Sequence, residues 1–145
     1  KVVILPNNDA GSIMIREGID RSRHREFHVF SNLKREDYLG FMKNAAAMVG
    51  NSSSGLLEAP TFKVPAVNLG RRQNARVQGT NVINASFEKD AIVTALKKAL
   101  SESFRSSLAN NCKNPYGDGK SSERILEIIC NTKIDDELLI KNLTY

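Results

Sequence analysis

Residues 49–60 read Val49-Gly50-Asn51-Ser52-Ser53-Ser54-Gly55-Leu56-Leu57-Glu58-Ala59-Pro60, and this stretch decides how the fold of the whole chain is interpreted. It begins at the end of a short apolar run, residues 45–49, which we interpret as a β-strand. Small hydroxylated residues then form a turn, and a helical pattern begins at Ser54. A strand that passes through such a turn into a helix points several backbone N–H groups at one place, and this arrangement attracts anions such as phosphate.

Two interpretations of this stretch are open. Serines before a helix are ordinary caps, and a glutamate in the first turns of a helix offsets the helix dipole. Alternatively, the serines and the N–H groups bind phosphate. In that case Glu58, which would repel a phosphate, makes better sense as an acceptor for sugar hydroxyls such as those of a ribose. The second interpretation predicts a nucleotide or nucleotide-sugar site.

Length and composition indicate one soluble globular domain. The chain has 145 residues, of which 41% are apolar and 26% charged. The net charge of +5 is dispersed, and the low aromatic content of 6% without tryptophan disfavours nucleic-acid binding. We expect no membrane span, because no apolar run is long enough. Cys112 and Cys130 are far apart and in no metal-binding spacing, which favours a reduced, cytoplasmic environment.

Strand-like runs alternate with helical patterns along the chain. Strands are predicted at residues 2–5, 26–30, 45–49, 64–69 and 82–83, and helices at 9–21, 34–44, 54–62, 88–100 and 120–130. This alternation predicts βαβ units in a doubly wound, Rossmann-like, three-layer α/β/α domain with a parallel sheet. Asp9 is expected to cap the first helix. The chain starts directly with a strand and without an initiator methionine, from which we expect a fragment of a longer protein.

Turns that follow predicted strands supply the candidate site. Ligands of doubly wound sheets bind outside the carboxyl ends of the strands. Four such turns are expected to converge on one cleft, and they contain Asn7, Leu33, residues 51–55 and residues 70–72. This convergence favours the nucleotide interpretation over simple helix capping.

Four motifs occur in order along the chain: Pro6-Asn7-Asn8-Asp9-Ala10-Gly11-Ser12, then Gly50-Asn51-Ser52-Ser53-Ser54-Gly55 through Glu58, then Pro65-Ala66-Val67-Asn68-Leu69-Gly70 followed by Arg72-Gln73, and Asn114-Pro115-Tyr116-Gly117-Asp118-Gly119. Together, over about residues 1–130, they resemble the UDP-N-acetylglucosamine 2-epimerases. The first and third motifs resemble the hydrolysing branch, which serves sialic acid and related nonulosonate synthesis, more than the non-hydrolysing branch.

The resemblance implies that residues 1–145 form the C-terminal, UDP-binding domain of a two-domain GT-B-type enzyme, with about residues 131–145 as a terminal tail. The acid/base carboxylates and a cleft histidine of the family would belong to an N-terminal domain that is absent from this chain. No catalytic residue is therefore expected here, and His24 and His28 do not match the family histidine. The chain alone would bind UDP and be inactive, whereas the full-length enzyme is expected to be a homo-oligomer.

The resemblance also implies a reaction. The enzyme would convert UDP-N-acetylglucosamine and water into N-acetylmannosamine and UDP, through elimination of UDP, a glycal intermediate and addition of water with inverted configuration at C2. Neither a metal nor another cofactor is implied. Whether the substrate carries one acetamido group or two stays open, as does the hydrolysing against the non-hydrolysing outcome.

The resemblance assigns five residues of this chain to UDP. Ser52 and Ser53 would bind the diphosphate, and Glu58 the ribose hydroxyls. Leu33 would offer backbone groups to the uracil, and Arg72 would lie against the nucleotide. Four further residues are candidates for lining the cleft: Asn7, Asn51, Ser54 and Gly55.

Some positions depart from the family pattern or allow two roles. Leu57 is apolar where family members often carry a glutamate or arginine, and we expect it to face the core. Lys63 stands where a glycine is common. The loop at residues 114–119 either makes a tight turn in which Asp118 caps the last helix, or also edges the cleft.

Two alternatives to the epimerase stay open from the sequence. A glycosyltransferase of GT-B architecture has a C-terminal domain of the same design for its donor nucleotide, and fold alone does not separate the two chemistries. A non-catalytic, flavodoxin-like binding module would bind no UDP and would leave the four motifs as coincidence.

Overall fold

A computed structural model describes residues 1–7, 10–22 and 25–140. Within these ranges the elements, in chain order, are β1 Val2–Ile4, α1 Ser12–Arg21, β2 His28–Phe30, α2 Arg35–Lys43, β3 Met48–Gly50, α3 Ser54–Leu57, β4 Ala66–Leu69, β5 Val82–Ala85, α4 Lys89–Leu100, α5 Glu102–Asn111, α6 Ser121–Asn131 and α7 Asp136–Leu139. A 3₁₀ helix, Ala59–Phe62, connects α3 to β4.

Every strand pair in the described residues is parallel. β1 pairs with β2, and β4 lies between β3 and β5. The predicted Rossmann-like α/β fold with parallel strands is confirmed, although the strands form a two-stranded and a three-stranded sheet instead of one continuous sheet. Parallel pairing places the carboxyl ends of β3, β4 and β5 at one edge, where ligands of such folds bind.

The apolar core lies around the three-stranded sheet. β4 is its centre, with Val67 1% exposed. Ala95 and Ala99, one helical turn apart on α4, are buried against Val67. A second cluster contains Met42 of α2, Ala59 and Val64. Small side chains such as those of the two alanines allow a helix to lie close to a strand.

The helix predicted at residues 54–62 differs from expectation. It consists of the four-residue helix α3 followed by the 3₁₀ helix, because Pro60 has no N–H to continue the α-helical bonds and disfavours the α conformation of the residue before it. Lys63 then adopts φ 58°, in the left-handed region that glycine favours. Its ammonium donates a hydrogen bond to the carbonyl of Ala109 near the end of α5, where a positive charge is favourable.

Two further differences concern an additional helix, α5, and the start of α1. Helix α5 is absent from the sequence-based expectation; it begins after Ser101, whose hydroxyl accepts a hydrogen bond from the N–H of Phe104. Asp9, the expected cap of α1, lies outside the described residues. The N-cap position of α1 is Gly11 at φ 85°, with no side-chain bond. Of the predicted tail, residues 141–145 lie outside the described residues.

Candidate functional site

The turn between β3 and α3 is the centre of the candidate site, and we call residues 51–54 the serine turn. Gly50 leads into it with φ 148°, a conformation that side-chain-bearing residues rarely adopt. The hydroxyl of Ser52 accepts a hydrogen bond from the N–H of Ser54 at 3.3 Å. Ser52 therefore acts in part as a cap, and its hydroxyl hydrogen stays available for another acceptor.

Backbone N–H groups are a second source of donors in the serine turn. Within the described part of the chain, the N–H groups of Ser52 and Ser53 donate to no backbone or side-chain acceptor. Ser52 is exposed and Ser53 half-buried. Because α3 is only one turn long, its dipole is small, and an anion would be held mainly by these N–H groups and hydroxyls. The dipole of α3 is thus smaller than that of the longer helix that the sequence predicts at residues 54–62.

Glu58 lies between α3 and the 3₁₀ helix, and its N–H donates to the carbonyl of Ser54 at 3.0 Å. Its side chain is half-buried, and Oε2 is buried without a hydrogen-bond partner among the described residues. A buried oxygen without a donor is unfavourable by about 1–3 kcal/mol. The carboxylate is therefore suited to accept hydrogen bonds from a ligand that carries hydroxyl groups.

The loop after β4 brings Arg72 into the same neighbourhood. Gly70 starts the loop with φ 72°, and a Cβ at this position would lie 2.5 Å from the ring of Phe87. Arg72 is exposed, and the next residue, Gln73, is 2% exposed. The Nε2 of Gln73 donates to the carbonyl of Asn51 at 2.8 Å. This hydrogen bond joins the loop that carries Arg72 to the serine turn.

A second buried amide holds the helix side of the site. Asn81, 0% exposed, donates through Nδ2 to the carbonyls of Gly55 at 3.0 Å and Val64 at 3.1 Å. A Cβ on Gly55 would lie 3.2 Å from the Cβ of Ala66, so α3 packs closely on β4. Sequence reasoning missed both Gln73 and Asn81. The position of Gln73 beside Arg72 in the third motif was the one available signal.

The remaining predicted residues lie at the carboxyl ends of the other sheet. Leu33 is half-buried after β2, and its N–H already donates to the side-chain oxygen of Asn32 at 2.9 Å. Its carbonyl is thus the better candidate for a ligand contact. Asn7 is exposed after β1. The hydrogen bonds of the described residues link neither of them to the serine turn, and His28 is exposed on β2 while His24 lies outside the described residues.

The loop at residues 114–119 connects several elements behind the site. Asn114 donates through Nδ2 to the carbonyl of Leu57 and to the hydroxyl of Thr61, both at 2.8 Å. The Tyr116 hydroxyl donates to the carbonyl of Val77 at 2.9 Å. These bonds support the structural role of the loop. Leu57, expected to face the core, is half-buried.

Asp118 stabilises the start of α6. Its carboxylate accepts two hydrogen bonds from Arg124, at 2.9 and 2.8 Å, and one from the backbone N–H of Lys120 at 3.1 Å. The Arg124 guanidinium, and next the Lys120 N–H, lower the pKa of Asp118 from 3.8 to about 2. The predicted capping by Asp118 is wrong in its detail: the N-cap position of α6 is Lys120, which makes no side-chain cap bond. Asp118 lies two residues earlier and bonds to the N–H of Lys120, whereas a capping side chain accepts from an N–H inside the first turn.

In residues 1–7, 10–22 and 25–140, no helix combines the length and the apolar composition that crossing a bilayer requires. The same ranges contain no cluster of three or more histidine, cysteine, aspartate or glutamate side chains placed to hold a metal ion.

Comparison with solved structures supports the fold. The UDP-GlcNAc 2-epimerase of Methanocaldococcus jannaschii, solved in complex with UDP-GlcNAc and UDP, superposes with a TM-score of 0.69 at 22% identity, over 90% of this chain and 35% of that one. The enzyme of Neisseria meningitidis, bound to UDP-GlcNAc, superposes with a TM-score of 0.66 at 19% identity, over 90% of this chain and 36% of that one.

Sequence comparison identifies the family. The chain is 36% identical to the UDP-N,N'-diacetylbacillosamine 2-epimerase (hydrolyzing) of Legionella pneumophila over 145 residues, which cover 99% of this chain and 37% of the relative. It is 34% identical to the UDP-N-acetylglucosamine 2-epimerase of Neisseria meningitidis, over 90% of this chain and 34% of the relative. The chain thus spans little more than a third of these relatives. The model of the UDP-N-acetylglucosamine 2-epimerase family matches residues 1–130, and the chain belongs to this family.

Proposed function

We propose that this chain is the UDP-binding, C-terminal domain of a UDP-N-acetylglucosamine 2-epimerase of the hydrolysing type. The observation that carries the proposal is the buried Oε2 of Glu58, which has no hydrogen-bond partner among the described residues and lies on the segment that follows the serine turn. An acceptor beside several donors suits a ribose attached to a diphosphate. Family membership favours this function over the glycosyltransferase and flavodoxin-like alternatives.

In the proposed site, Ser52 and Ser53 bind the diphosphate through their N–H groups and hydroxyls, and Arg72 lies against the nucleotide. Glu58 accepts hydrogen bonds from the ribose hydroxyls, and the backbone of Leu33 contacts the uracil. Asn7, Asn51, Ser54 and Gly55 line the cleft. Hydroxyl and guanidinium donors near a diphosphate bind it tightly because these hydrogen bonds involve charge.

The proposed reaction releases UDP from a UDP-2-acetamido sugar. A base in the proposed N-terminal domain takes the proton from C2, the bond between C1 and the diphosphate oxygen breaks, and a glycal is left. Water then adds to the glycal: its oxygen bonds to C1, and a proton bonds to C2 on the face opposite to the one that lost its proton. The product is the free 2-epimer. The contribution of this chain is to stabilise the negative charge that develops on the leaving UDP.

Relatives differ in their sugars: their names specify UDP-N-acetylglucosamine in one case and UDP-N,N'-diacetylbacillosamine in another. We propose that residues outside this chain make that choice at the sugar end of the cleft. A second domain, homo-oligomeric assembly and a cytoplasmic location belong to the same proposal. The location is favoured by two cysteines that are both unpaired.

The test is a calorimetric UDP titration of the chain and of Glu58→Gln, which removes the charge and keeps the shape. We expect saturable binding of UDP but not of ADP, and a 10- to 100-fold weaker affinity for the variant, on the scale of hydrogen bonds to a charged group. Glu88→Gln, an exposed glutamate at the start of α4, is the control and should bind like the unchanged chain. Equal affinities of Glu58→Gln and the control would contradict the proposed role of Glu58.

A further inference from the structure

A buried glutamine connects the two loops of the candidate site. Gln73 is 2% exposed, and its Nε2 bonds to the carbonyl of Asn51, 22 residues earlier in the chain. Its Oε1 is buried and has no partner among the described residues. Burying an amide whose oxygen accepts no hydrogen bond is unfavourable, so an apolar side chain would fill the same space at a lower free-energy cost.

The backbone of Gln73 is held as well, through a row of three more amides. Asn68 and Asn84 are register partners on β4 and β5, and the Nδ2 of Asn68 donates to the Oδ1 of Asn84 at 2.8 Å. Asn84 in turn donates to the Oε1 of Gln78 at 2.8 Å, and Gln78 donates to the carbonyl of Gln73 at 3.4 Å. Gln73 is thus tied to the sheet through its carbonyl and to the serine turn through its side chain.

We infer that Gln73 is a positioning residue that fixes the serine turn and Arg72 relative to each other, so that both reach the same diphosphate. Asn51 immediately precedes Ser52, and Gln73 immediately follows Arg72. The Cα atoms of neighbouring residues are about 3.8 Å apart. The hydrogen bond between Asn51 and Gln73 therefore restrains Ser52 and Arg72, because each of them is next in the chain to one of the bonded residues. Donors that are fixed before binding lose less entropy when the ligand arrives. This inference rests on the proposed function.

The test compares Gln73→Met, which keeps the length of the side chain and removes the amide, with the unchanged chain. Three quantities are measured: UDP affinity by calorimetry, hydrogen exchange of the amides of residues 51–55 without nucleotide, and the thermal unfolding midpoint. Asn74→Ala is the control, because Asn74 is an exposed amide in the same loop. Gln78→Met is the second variant, since it removes one link of the amide row without touching Asn51.

We expect Gln73→Met to bind UDP about tenfold more weakly and to exchange the amides of residues 51–55 faster, with exchange in α4 unchanged. Gln78→Met should weaken UDP binding by a smaller factor, and Asn74→Ala should not change it. Affinity and exchange like those of the unchanged chain would overturn the inference, as would faster exchange spread evenly over β4 and α4. If the unchanged chain binds no UDP, the proposed function fails, and the exchange of residues 51–55 still decides whether Gln73 anchors the turn.

Discussion

The part of the chain around the three-stranded sheet and the part that precedes α2 differ in burial. All buried apolar side chains of the described residues lie between positions 42 and 112. In β4, three of four residues are buried, whereas β1 alternates between exposed and half-buried residues, and α1 buries none. Ile13 and Met14 of α1 are 71% and 74% exposed. The two parts have the same strand and helix pattern, so the pattern specifies local structure without ensuring a core.

The same difference separates the candidate ligand residues. Ser52, Glu58 and Arg72 belong to the well-packed part, where Gln73 and Asn81 hold the loops. Leu33 and Asn7 belong to the part with little burial. The proposed diphosphate contacts thus lie in the part of the chain with more burial, and the proposed contact to the base lies in the part with less. Three predictions test this contrast.

Loss of a core side chain should have the largest effect. Leu108→Ala removes a side chain of α5 that is 2% exposed, and we expect it to lower the free energy of unfolding by about 2–5 kcal/mol because of lost burial and the cavity that remains. Ile13→Ala is the matched change at an exposed position of α1, and it should alter the free energy of unfolding by about 0.5 kcal/mol or less. Urea denaturation measures both. Similar losses for the two variants would show that α1 is packed as firmly as α5.

Loss of the buried amide of Asn81 should have an intermediate effect. Asn81→Ala leaves the carbonyls of Gly55 and Val64 without their donor. Because two hydrogen bonds are lost, we expect the free energy of unfolding to fall by about 2–3 kcal/mol. Asn110→Ala, an exposed asparagine on α5, is the control. The measurement is again urea denaturation. If Asn81→Ala lowers the free energy of unfolding no more than Asn110→Ala does, packing alone holds α3 on β4.

Acidification should have the smallest effect, and a local one. The lowered pKa of Asp118 means that its contribution to the start of α6 is present above its ordinary pKa of 3.8 and is lost as the pH falls toward about 2. We expect amide protection at the start of α6 to decline between about pH 4 and 2, measured by NMR. In Asp118→Asn the protection should be lower at pH 5 and nearly independent of pH over this range. An unchanged pH dependence in that variant would exclude the pair with Arg124 as its cause.

Several features could be predicted from the sequence because they depend on neighbours along the chain. The order of strands and helices followed from local periodicity, and the parallel pairing followed from their alternation. The turn chemistry of residues 114–119 predicted that Asp118 acts at the start of α6, but its partners there are the N–H of Lys120 and the side chain of Arg124 and not an N–H inside the helix. Helix α5 lies outside the predicted helices although Ser101 and Glu102 form a recognisable helix start. Helix α3 is shorter than predicted because Pro60 cannot continue the α-helical hydrogen bonds.

By itself, the sequence determined the family, the α/β class and the place of the serine turn at a strand end, since motifs and periodicity are properties of residues close together in the chain. Only the tertiary structure decided that Gln73 bonds to Asn51 and that Asn81 bonds to Gly55, 22 and 26 residues apart. It also decided that a carboxylate oxygen of Glu58 is buried without a partner in the part of the chain that the structure describes. Such contacts depend on how strands and loops are brought together, because a polar side chain reveals its partner only when burial removes water as the alternative.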